Sequence, residues 1–142
     1  MANFDKNKII RGNYGRLWMN GERLSNVKSF EAKATLNYED IELNEELGTS
    51  RRYMGYTIEG TMVLHKFDSQ VIKLYKEGIV NGVLPDVKMV AALVDPTSDG
   101  SERVEIYGVT FDEIMLSKFE NKTVLEEEVP FKADGFKFID TI

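Results

Sequence analysis

The sequence predicts a mainly β fold, an antiparallel β-sandwich or barrel with one flanking α-helix. Three observations support this prediction. Long segments alternate between apolar and polar residues, an Asn20-Gly21 pair separates two of them, and residues 69–81 carry apolar side chains at helical spacing. A chain of 142 residues is long enough to bury one ordinary core, so we expect a single domain over residues 1–142.

The first predicted element is a β-hairpin. Asn-Gly between strand-like segments favours a type I′ turn, because both central residues of that turn need positive φ. The second arm alternates from Ser29 to Leu36 and divides its side chains between two faces. We expect the apolar face to be buried and the polar face to be in water. The apolar face is Phe30, Ala32, Ala34 and Leu36, and the polar face is Ser29, Glu31, Lys33 and Thr35.

The rest of the chain predicts a second long strand, one helix and several further strands. Residues 57–65 alternate in the manner of a strand. In the helix over residues 69–81, Asp68 or Ser69 is suited to cap the start and Gly82 to close the end. A helix this short needs a sheet beneath its apolar side. Further strands are predicted from Val87, over residues 103–109, 111–120 and 123–133 with a break at Pro130, and from Gly135 onwards.

Residues 39–55, between the two long strands, are predicted to form a charged loop. The segment opens with five acidic residues in eight positions and ends in paired arginines followed by Tyr-Met-Gly-Tyr. Loops longer than about 12–15 residues are uncommon in compact domains and are usually functional or disordered. Tyr, Met and Arg are enriched at protein interfaces. We therefore interpret the segment as a contact surface, although Tyr53, Met54 and Tyr56 could instead pack on their own domain.

Charge and composition exclude several classes of function. The chain has 24 acidic and 18 basic residues, and its net charge of −6 argues against nucleic-acid binding through phosphate contacts. The absence of cysteine excludes disulfides, thiolate metal sites and a cysteine nucleophile. No apolar run approaches the roughly 18 residues that would span a bilayer, and residues 1–20 lack the apolar centre of a secretory signal. We expect synthesis in the cytoplasm and no membrane insertion.

The charges are unevenly placed along the chain. Residues 1–38 hold seven basic and three acidic residues, whereas residues 39–48 hold five acidic residues and no basic one. The simple interpretation is that neighbouring solvated faces differ in charge. The alternative is that the two segments belong to surfaces that bind each other.

The sequence predicts no enzyme, no cofactor and no metal. The single histidine, His65, lies in mid-strand without the three or four ligands that a metal site needs. Adjacent carboxylates such as Asp112 and Glu113 would point to opposite faces of a strand, so they cannot converge on a substrate. No dinucleotide, P-loop or nucleophile-elbow motif is present. We therefore expect no catalytic, cofactor-binding or metal-binding residue.

The chain resembles the tail tube proteins of contractile bacteriophage tails, including those of defective prophage particles and phage-tail-like bacteriocins of Gram-positive bacteria. The resemblance covers nearly the whole chain. It rests on "NYGRLWMNGERLSNVKSFEAK", on "AALVDP", on the closing "EEEVPFKADGFKFID" and most strongly on "GTSRRYMGYTIEGT", residues 48–61.

The resemblance implies a β-sandwich or barrel related to type VI secretion tube proteins. It implies six-membered rings in which each subunit lends strands to a continuous inner barrel. Such rings stack into a hollow tube inside a contractile sheath, so the expected partners are further copies of this chain and the sheath, baseplate and tail terminator proteins. The tube would conduct DNA or ions without binding DNA specifically, in a virion or phage-tail-like particle made in the bacterial cytoplasm.

Two sets of site residues are predicted on this basis. Acidic residues of the 39–55 segment are expected to meet basic residues of the N-terminal segment in the next ring, with the neighbouring aromatic residues burying most of the area. The inter-ring set is Glu42, Glu45, Glu46, Arg51, Arg52, Tyr53, Met54 and Tyr56 with Lys6, Lys8, Arg11 and Arg16. The set predicted to line the lumen is Glu31, Lys33, Thr35, Thr57, Glu59 and Thr61.

Two other functions are compatible with a small β domain. One is a soluble, monomeric β-sandwich that binds carbohydrate or peptide, for which Trp18 beside the hairpin turn is the only aromatic candidate. The other is a small β-barrel enzyme that uses a carboxylate pair. Discrete rings or tubes in micrographs would favour the conduit, and a compact monomer at all concentrations would favour the binding module.

Overall fold

The computed structural model describes residues 5–66, 70–97 and 100–141. Two 3₁₀ turns, Lys6–Lys8 and Gly12–Tyr14, precede the first strand. The elements that follow are β1 (Gly15–Met19), β2 (Glu22–Leu24), β3 (Val27–Glu42), β4 (Thr49–His65), α1 (Gln70–Asn81), β5 (Met89–Leu93), β6 (Glu102–Tyr107), β7 (Thr110–Phe111), β8 (Glu126–Ala133) and β9 (Gly135–Asp140).

The strands form two antiparallel sheets that pack as a sandwich. The five-stranded sheet has the order β2-β1-β5-β6-β9, and the four-stranded sheet has the order β3-β4-β8-β7. Every pairing between described strands is antiparallel. The predicted fold class, a mainly β antiparallel sandwich with one helix, is confirmed.

The core lies between the two sheets. Met62, Val129 and Phe131 contribute from the four-stranded sheet, and Leu17 and Met89 contribute from the five-stranded sheet. Strand residues alternate between this core and the outer face of each sheet, as the pleat requires.

A close contact in the four-stranded sheet depends on glycine at position 60. Gly60 lies between Ala32 and Phe131 in the strand pairing. A Cβ at this position would lie against the Glu31 carbonyl and 2.6 Å from Cζ of Phe131. The Phe131 ring occupies the space that a side chain would need, and it stacks on Phe30 with centroids 5.7 Å apart.

The helix packs with one side on the core. Val71, Tyr75 and Gly78 are its buried residues. The Tyr75 hydroxyl accepts a hydrogen bond of 3.3 Å from the backbone N–H of Phe111, and the two rings lie 5.0 Å apart. The predicted helix is therefore confirmed as Gln70–Asn81, whereas the proposed caps Asp68 and Ser69 lie outside the described residues.

The predicted Asn-Gly turn is also confirmed. Asn20 and Gly21 have φ of 51° and 86° and connect β1 to β2. The second arm was predicted as one strand, and that is wrong. The chain turns at Ser25 and Asn26, so that β2 joins the five-stranded sheet and β3 joins the other.

Three further predictions need correction. The predicted break at Pro130 is wrong, because β8 runs through this residue and pairs it with Thr61. The strand predicted over residues 111–120 is limited to Thr110–Phe111, and residues 113–120 run without a sheet neighbour. The loop predicted over residues 39–55 is mostly strand, because β3 and β4 continue to pair as far as Glu42 and Thr49. Alternation and turn residues describe one strand at a time, whereas a sheet exists only where a second strand lies alongside.

Candidate functional site: a projecting hairpin arm and a polar sheet face

The longest feature of the molecule is the hairpin of β3 and β4. Pairing with β8 stops at Ile58, but β3 and β4 continue together for eight more pairs, and the last seven of these run from Leu36 with Tyr56 to Glu42 with Thr49. We call residues 36–56 the hairpin arm. At a rise of about 3.3 Å per residue these pairs extend about 20 Å. All residues of the arm are exposed except Gly55, which is half-buried.

Aromatic side chains contact one another on one side of the arm. This side is continuous with the core-facing side of the four-stranded sheet. Tyr38 and Tyr53 are opposite each other with ring centroids 6.0 Å apart, and the Arg51 guanidinium lies 3.9 Å from the centroid of Tyr38. At the base of the arm, the Tyr56 ring packs edge to face on Phe136 of β9 at 5.3 Å. An isolated two-stranded ribbon is marginally stable in water, so these contacts help to keep the arm extended.

A β-bulge sets the direction in which these side chains point. Asn37 pairs with Gly55 and Tyr38 pairs with Tyr53, so Met54 is an extra residue in β4. Gly55 adopts a φ of 131°, a value that side chains strongly disfavour. The bulge places Tyr53 and Tyr56, three residues apart, on the same side of the arm, and it leaves Met54 exposed.

The turn of the arm, residues 43–48, combines acidic and apolar side chains. Leu43 is half-exposed and Leu47 is fully exposed. Glu45 has a φ of 66°, and the backbone N–H of Glu46 donates to the Leu43 carbonyl at 3.2 Å. With Glu42 at the end of β3, the turn presents three carboxylates and two leucines to solvent. Glu39 and Asp40 differ from these, because Arg52 and Arg51 lie opposite them in the register.

The predicted basic partners lie on the sandwich and not on the arm. Lys6 and Lys8 are exposed on the first 3₁₀ turn, and Arg16 is exposed on β1. Arg11 is bound within its own subunit. Its Nε donates to Oδ2 of Asp95 at 3.0 Å and its Nη2 donates to Oδ1 at 3.2 Å.

The Asp95 carboxylate is buried and fully engaged by its neighbours. Besides the hydrogen bonds from the Arg11 guanidinium, it accepts one from the backbone N–H of Arg11 at 3.0 Å. It also accepts hydrogen bonds from the backbone N–H and the hydroxyl of Thr97, at 2.9 and 2.7 Å. The hydrogen bonds from the Arg11 side chain, and then those from Thr97, hold the pKa of Asp95 well below its usual range. The cluster fastens the N-terminal segment to the chain that follows β5.

The outer face of the four-stranded sheet is polar. The six residues predicted to line a lumen form three directly opposed pairs on this face, and all are exposed except the half-buried Thr61. The pairs are Glu31 with Thr61, Lys33 with Glu59, and Thr35 with Thr57. The structure therefore brings the whole set together.

Strand β8 extends the same polar face. Lys132 lies opposite Glu59. Farther along, Lys28 donates from Nζ to Oε1 of Glu126 at 2.6 Å, and this hydrogen bond lowers the pKa of Glu126. Charges of both signs thus alternate across the sheet.

The described part of the chain contains no cluster of side chains that could hold a metal ion. No group of three or more His, Asp or Glu residues converges within residues 5–66, 70–97 and 100–141. His65 is exposed on the polar face, opposite Glu126 in the register. None of the helices in these ranges is both long and apolar enough to cross a membrane.

Comparison with known proteins gives the family. Residues 2–140 match the family described as phage tail tube protein. The chain belongs to this family. Two relatives from Bacillus subtilis (strain 168), the phage-like element PBSX protein XkdM and the uncharacterized protein YqbM, are each 32% identical to this tail tube protein over 129 residues. Each match covers 89% of this chain and 88% of the relative.

Solved structures share the fold of this tail tube protein. A chain of the PVC extracellular contractile injection system, in its extended sheath–tube complex, superposes with a TM-score of 0.68 at 10% identity, over 93% of this chain and 92% of that one. A chain of the anti-feeding prophage cap gives 0.68 at 9% identity, over 99% and 95%. A chain of a gene transfer agent virion gives 0.56 at 12% identity, over 92% and 98%.

Membership of the family gives this tail tube protein a structural role in a tube, and it disfavours the monomeric binding module. Trp18, the candidate residue of that module, is half-buried, with the Arg103 guanidinium 6.0 Å from its ring. Sequence reasoning missed three features: the contribution of Lys132 to the polar face, the packing of Phe136 under the arm, and Asp95 as the partner of Arg11. Each feature brings together residues that are distant in sequence. Only the packing of Phe136 had a signal in the sequence, which is the apolar alternation from Gly135 onwards.

Proposed function

We propose that this tail tube protein forms hexameric rings that stack into the hollow inner tube of a contractile, phage-like tail. The tube conducts DNA or ions, and the protein performs no catalysis. The observation that carries the proposal is the hairpin arm, which extends about 20 Å beyond the sandwich with its side chains in solvent. Exposed apolar area of this kind marks a protein interface more often than a free surface.

The arm is proposed to dock on the next ring. Its acidic turn, Glu42, Glu45 and Glu46, would face basic residues at the N-terminal side of the neighbouring sandwich, chiefly Lys6, Lys8 and Arg16. Arg11 takes no direct part, because Asp95 already holds its guanidinium. Contact between two different surfaces, repeated along one axis, leaves an unpaired surface at each end of the stack, so identical rings can add without limit.

Charge and apolar contacts have different roles in this docking. Exposed ion pairs contribute about 0.2–1 kcal/mol each, so charge selects the register and the association rate. Tyr53, Met54 and Tyr56 are each between 41% and 60% exposed in the isolated subunit and supply most of the area to be buried. Arg51 and Arg52 lie opposite Asp40 and Glu39 in the register, which keeps these opposite charges close together within the arm.

Closure of each ring would protect the edges of the sheets. β3 is an edge strand of 16 residues that pairs only with β4 among the described strands. Long unpaired edges favour association with other strands, and closure into a barrel removes them. Six copies that join edge to edge would form a continuous inner wall.

The polar face of the four-stranded sheet is proposed to line that wall. Glu31 and Glu59 with Lys33 give mixed charge, and threonines fill the positions between them. A surface without a basic stripe offers few partners for DNA phosphates, so DNA can pass along it without binding.

The proposed setting is a virion or phage-tail-like particle assembled in the bacterial cytoplasm. Sheath, baseplate and tail terminator proteins are the proposed partners. The fold is shared with chains from a sheath–tube complex, a sheath/tube terminator and a baseplate, which supports this choice.

Electron microscopy tests the proposal directly. We expect purified protein to form rings or tubes with a six-fold axis, seen by negative staining and by light scattering after size exclusion. A compact monomer at every concentration would refute it.

Cysteine labelling tests the lumen. Because the chain has no cysteine, Glu59→Cys introduces a single thiol on the polar face. In tubes it should react with small maleimides and not with bulky ones, while a control Val80→Cys on the exposed side of α1 reacts with both. Equal labelling of Glu59→Cys by both reagents would contradict the lumen assignment.

A further inference from the structure

Two asparagines of this tail tube protein, Asn20 and Asn81, are each followed by glycine. In an Asn-Gly pair the deprotonated backbone nitrogen of glycine can attack Cγ of the asparagine, because glycine has no side chain to block the approach. A C–N bond forms, ammonia leaves, and water then opens the cyclic imide to aspartate or isoaspartate. In an unfolded chain the two pairs are therefore similar sites for spontaneous deamidation.

In the folded subunit, three hydrogen bonds hold Asn20 in place. Its Oδ1 accepts a hydrogen bond of 2.9 Å from the backbone N–H of Lys88, and its Nδ2 donates to the Asp86 carbonyl at 3.3 Å. Its backbone N–H donates to the Lys88 carbonyl at 2.8 Å. Deamidation expels Nδ2 and closes a ring that includes Cα and the backbone carbonyl carbon, so both the side chain and the backbone of the asparagine have to turn. All three hydrogen bonds therefore oppose the reaction.

Asn81, the last residue of α1, is held in a different way. It is exposed, and its side-chain amide makes no hydrogen bond with any residue that the structure describes. The attacking atom is held instead, since the backbone N–H of Gly82 donates to the Gly78 carbonyl at 2.8 Å. Gly82 has a φ of 84°, the left-handed conformation that commonly ends a helix. One hydrogen bond at a helix end thus opposes the reaction at this site.

The two sites differ in the structural opening that the reaction requires. Helix ends fray at little cost in free energy, whereas segments tied into a sheet open less often. Asn20 needs three hydrogen bonds to break and Asn81 needs one. Each bond lowers the population of open molecules about twofold to tenfold, so the two additional bonds slow the reaction at Asn20 about fourfold to a hundredfold.

We propose that Asn81 is the site at which the folded subunit deamidates, and that the hydrogen bonds to residues 86 and 88 protect Asn20. The modification replaces a neutral amide with a carboxylate at the C-terminal end of α1, where the helix dipole disfavours negative charge. It also places this charge close in sequence to Val80 and Val83, which are 85% and 78% exposed. The inference concerns the subunit alone and does not depend on the proposed tube.

Peptide mapping tests the inference, because trypsin places the two asparagines in different peptides, residues 17–23 and 77–88. The full chain is kept at mildly alkaline pH, below the assembly concentration, and samples are digested at intervals for mass spectrometry. We expect aspartate and isoaspartate to accumulate at Asn81 about tenfold faster than at Asn20. In urea that unfolds the chain, the two rates should become similar. Equal rates in the folded protein, a faster rate at Asn20, or no product at Asn81 would overturn the inference.

A urea series separates local opening from global unfolding. Below the unfolding transition, the rate at Asn81 should stay nearly constant, because fraying of a helix end exposes little surface. The rate at Asn20 should rise with the population of open molecules. Rates that rise in parallel would show that both sites need the same opening, which would overturn the inference. The control variant Asn81→Gln removes the fast site, since glutamine would have to close a larger ring, and it should leave the rate at Asn20 unchanged.

Discussion

Reversal of charge at the turn of the hairpin arm should weaken stacking. The defect should be larger at low salt than at high salt. The change is Glu45→Lys with Glu46→Lys, at two exposed positions of the turn. Each exposed pair contributes about 0.2–1 kcal/mol, and reversal replaces that attraction with a repulsion of similar size. Two positions together then cost about 0.8–4 kcal/mol per contact. Since about 1.4 kcal/mol is tenfold in an equilibrium constant, the critical concentration should rise between about fourfold and about 700-fold.

The assay is sedimentation of tubes from a concentration series at two salt concentrations. Screening shortens the reach of charge from about 10 Å at 0.1 M salt to about 3 Å at 1 M, so the defect should shrink at the higher salt. A control variant, Glu77→Lys with Asp86→Lys, changes the net charge equally at exposed positions away from the arm, and it should assemble normally. Addition of Arg16→Glu to the charge-reversed variant should restore part of the loss. Normal stacking of the charge-reversed variant at low salt would refute the argument.

Three other predictions concern the subunit itself and are measured below the assembly concentration. Gly60→Ala should lower the free energy of unfolding in urea by about 1–3 kcal/mol through overpacking, whereas Gly48→Ala, with open space around it, should have little effect. Tyr75→Phe should cost about 1–3 kcal/mol, because the buried N–H of Phe111 loses its acceptor; an unchanged unfolding midpoint would contradict this role. The pKa of Asp95 is lowered in the folded state, so its contribution is complete above about pH 4 and is lost as the pH falls further. Asp95→Asn should be less stable than wild type at pH 7, and the difference should narrow by about pH 2 in thermal unfolding scans.

Local chemistry explains which parts of the fold the sequence could predict. The turn at Asn20 and Gly21 needs only two adjacent residues that tolerate positive φ, and the helix needs only apolar side chains at its own spacing. The polar face was also predictable. On a single alternating strand the face of Lys33 is fixed by parity, and the face of Glu59 is fixed in the same way on the next strand, whereas their direct pairing comes from the register.

The failures share one physical cause, which is that pairing depends on residues far along the chain. Residues 111–120 alternate well enough for a strand, but only Thr110 and Phe111 have β8 beside them. Residues 39–55 resemble a loop by composition, yet they pair because each strand is the other's neighbour in a long hairpin. The partnership of Arg11 with Asp95 spans 84 positions and left no local signal.

The bulge at Met54 gives the arm an orientation that its composition does not fix. Bulged strands bend and twist more strongly than regular ones, so the extra residue decides where the ribbon aims. Deletion of Met54 would leave Tyr38 opposite Tyr53 and Asn37 opposite Gly55, with every other partner retained. A straightened ribbon of the same chemistry would then point away from its target. The side chains of the arm determine what it can bind, whereas this one residue determines the angle at which the arm leaves the sandwich. Its removal would therefore show how far assembly of the tail depends on that angle.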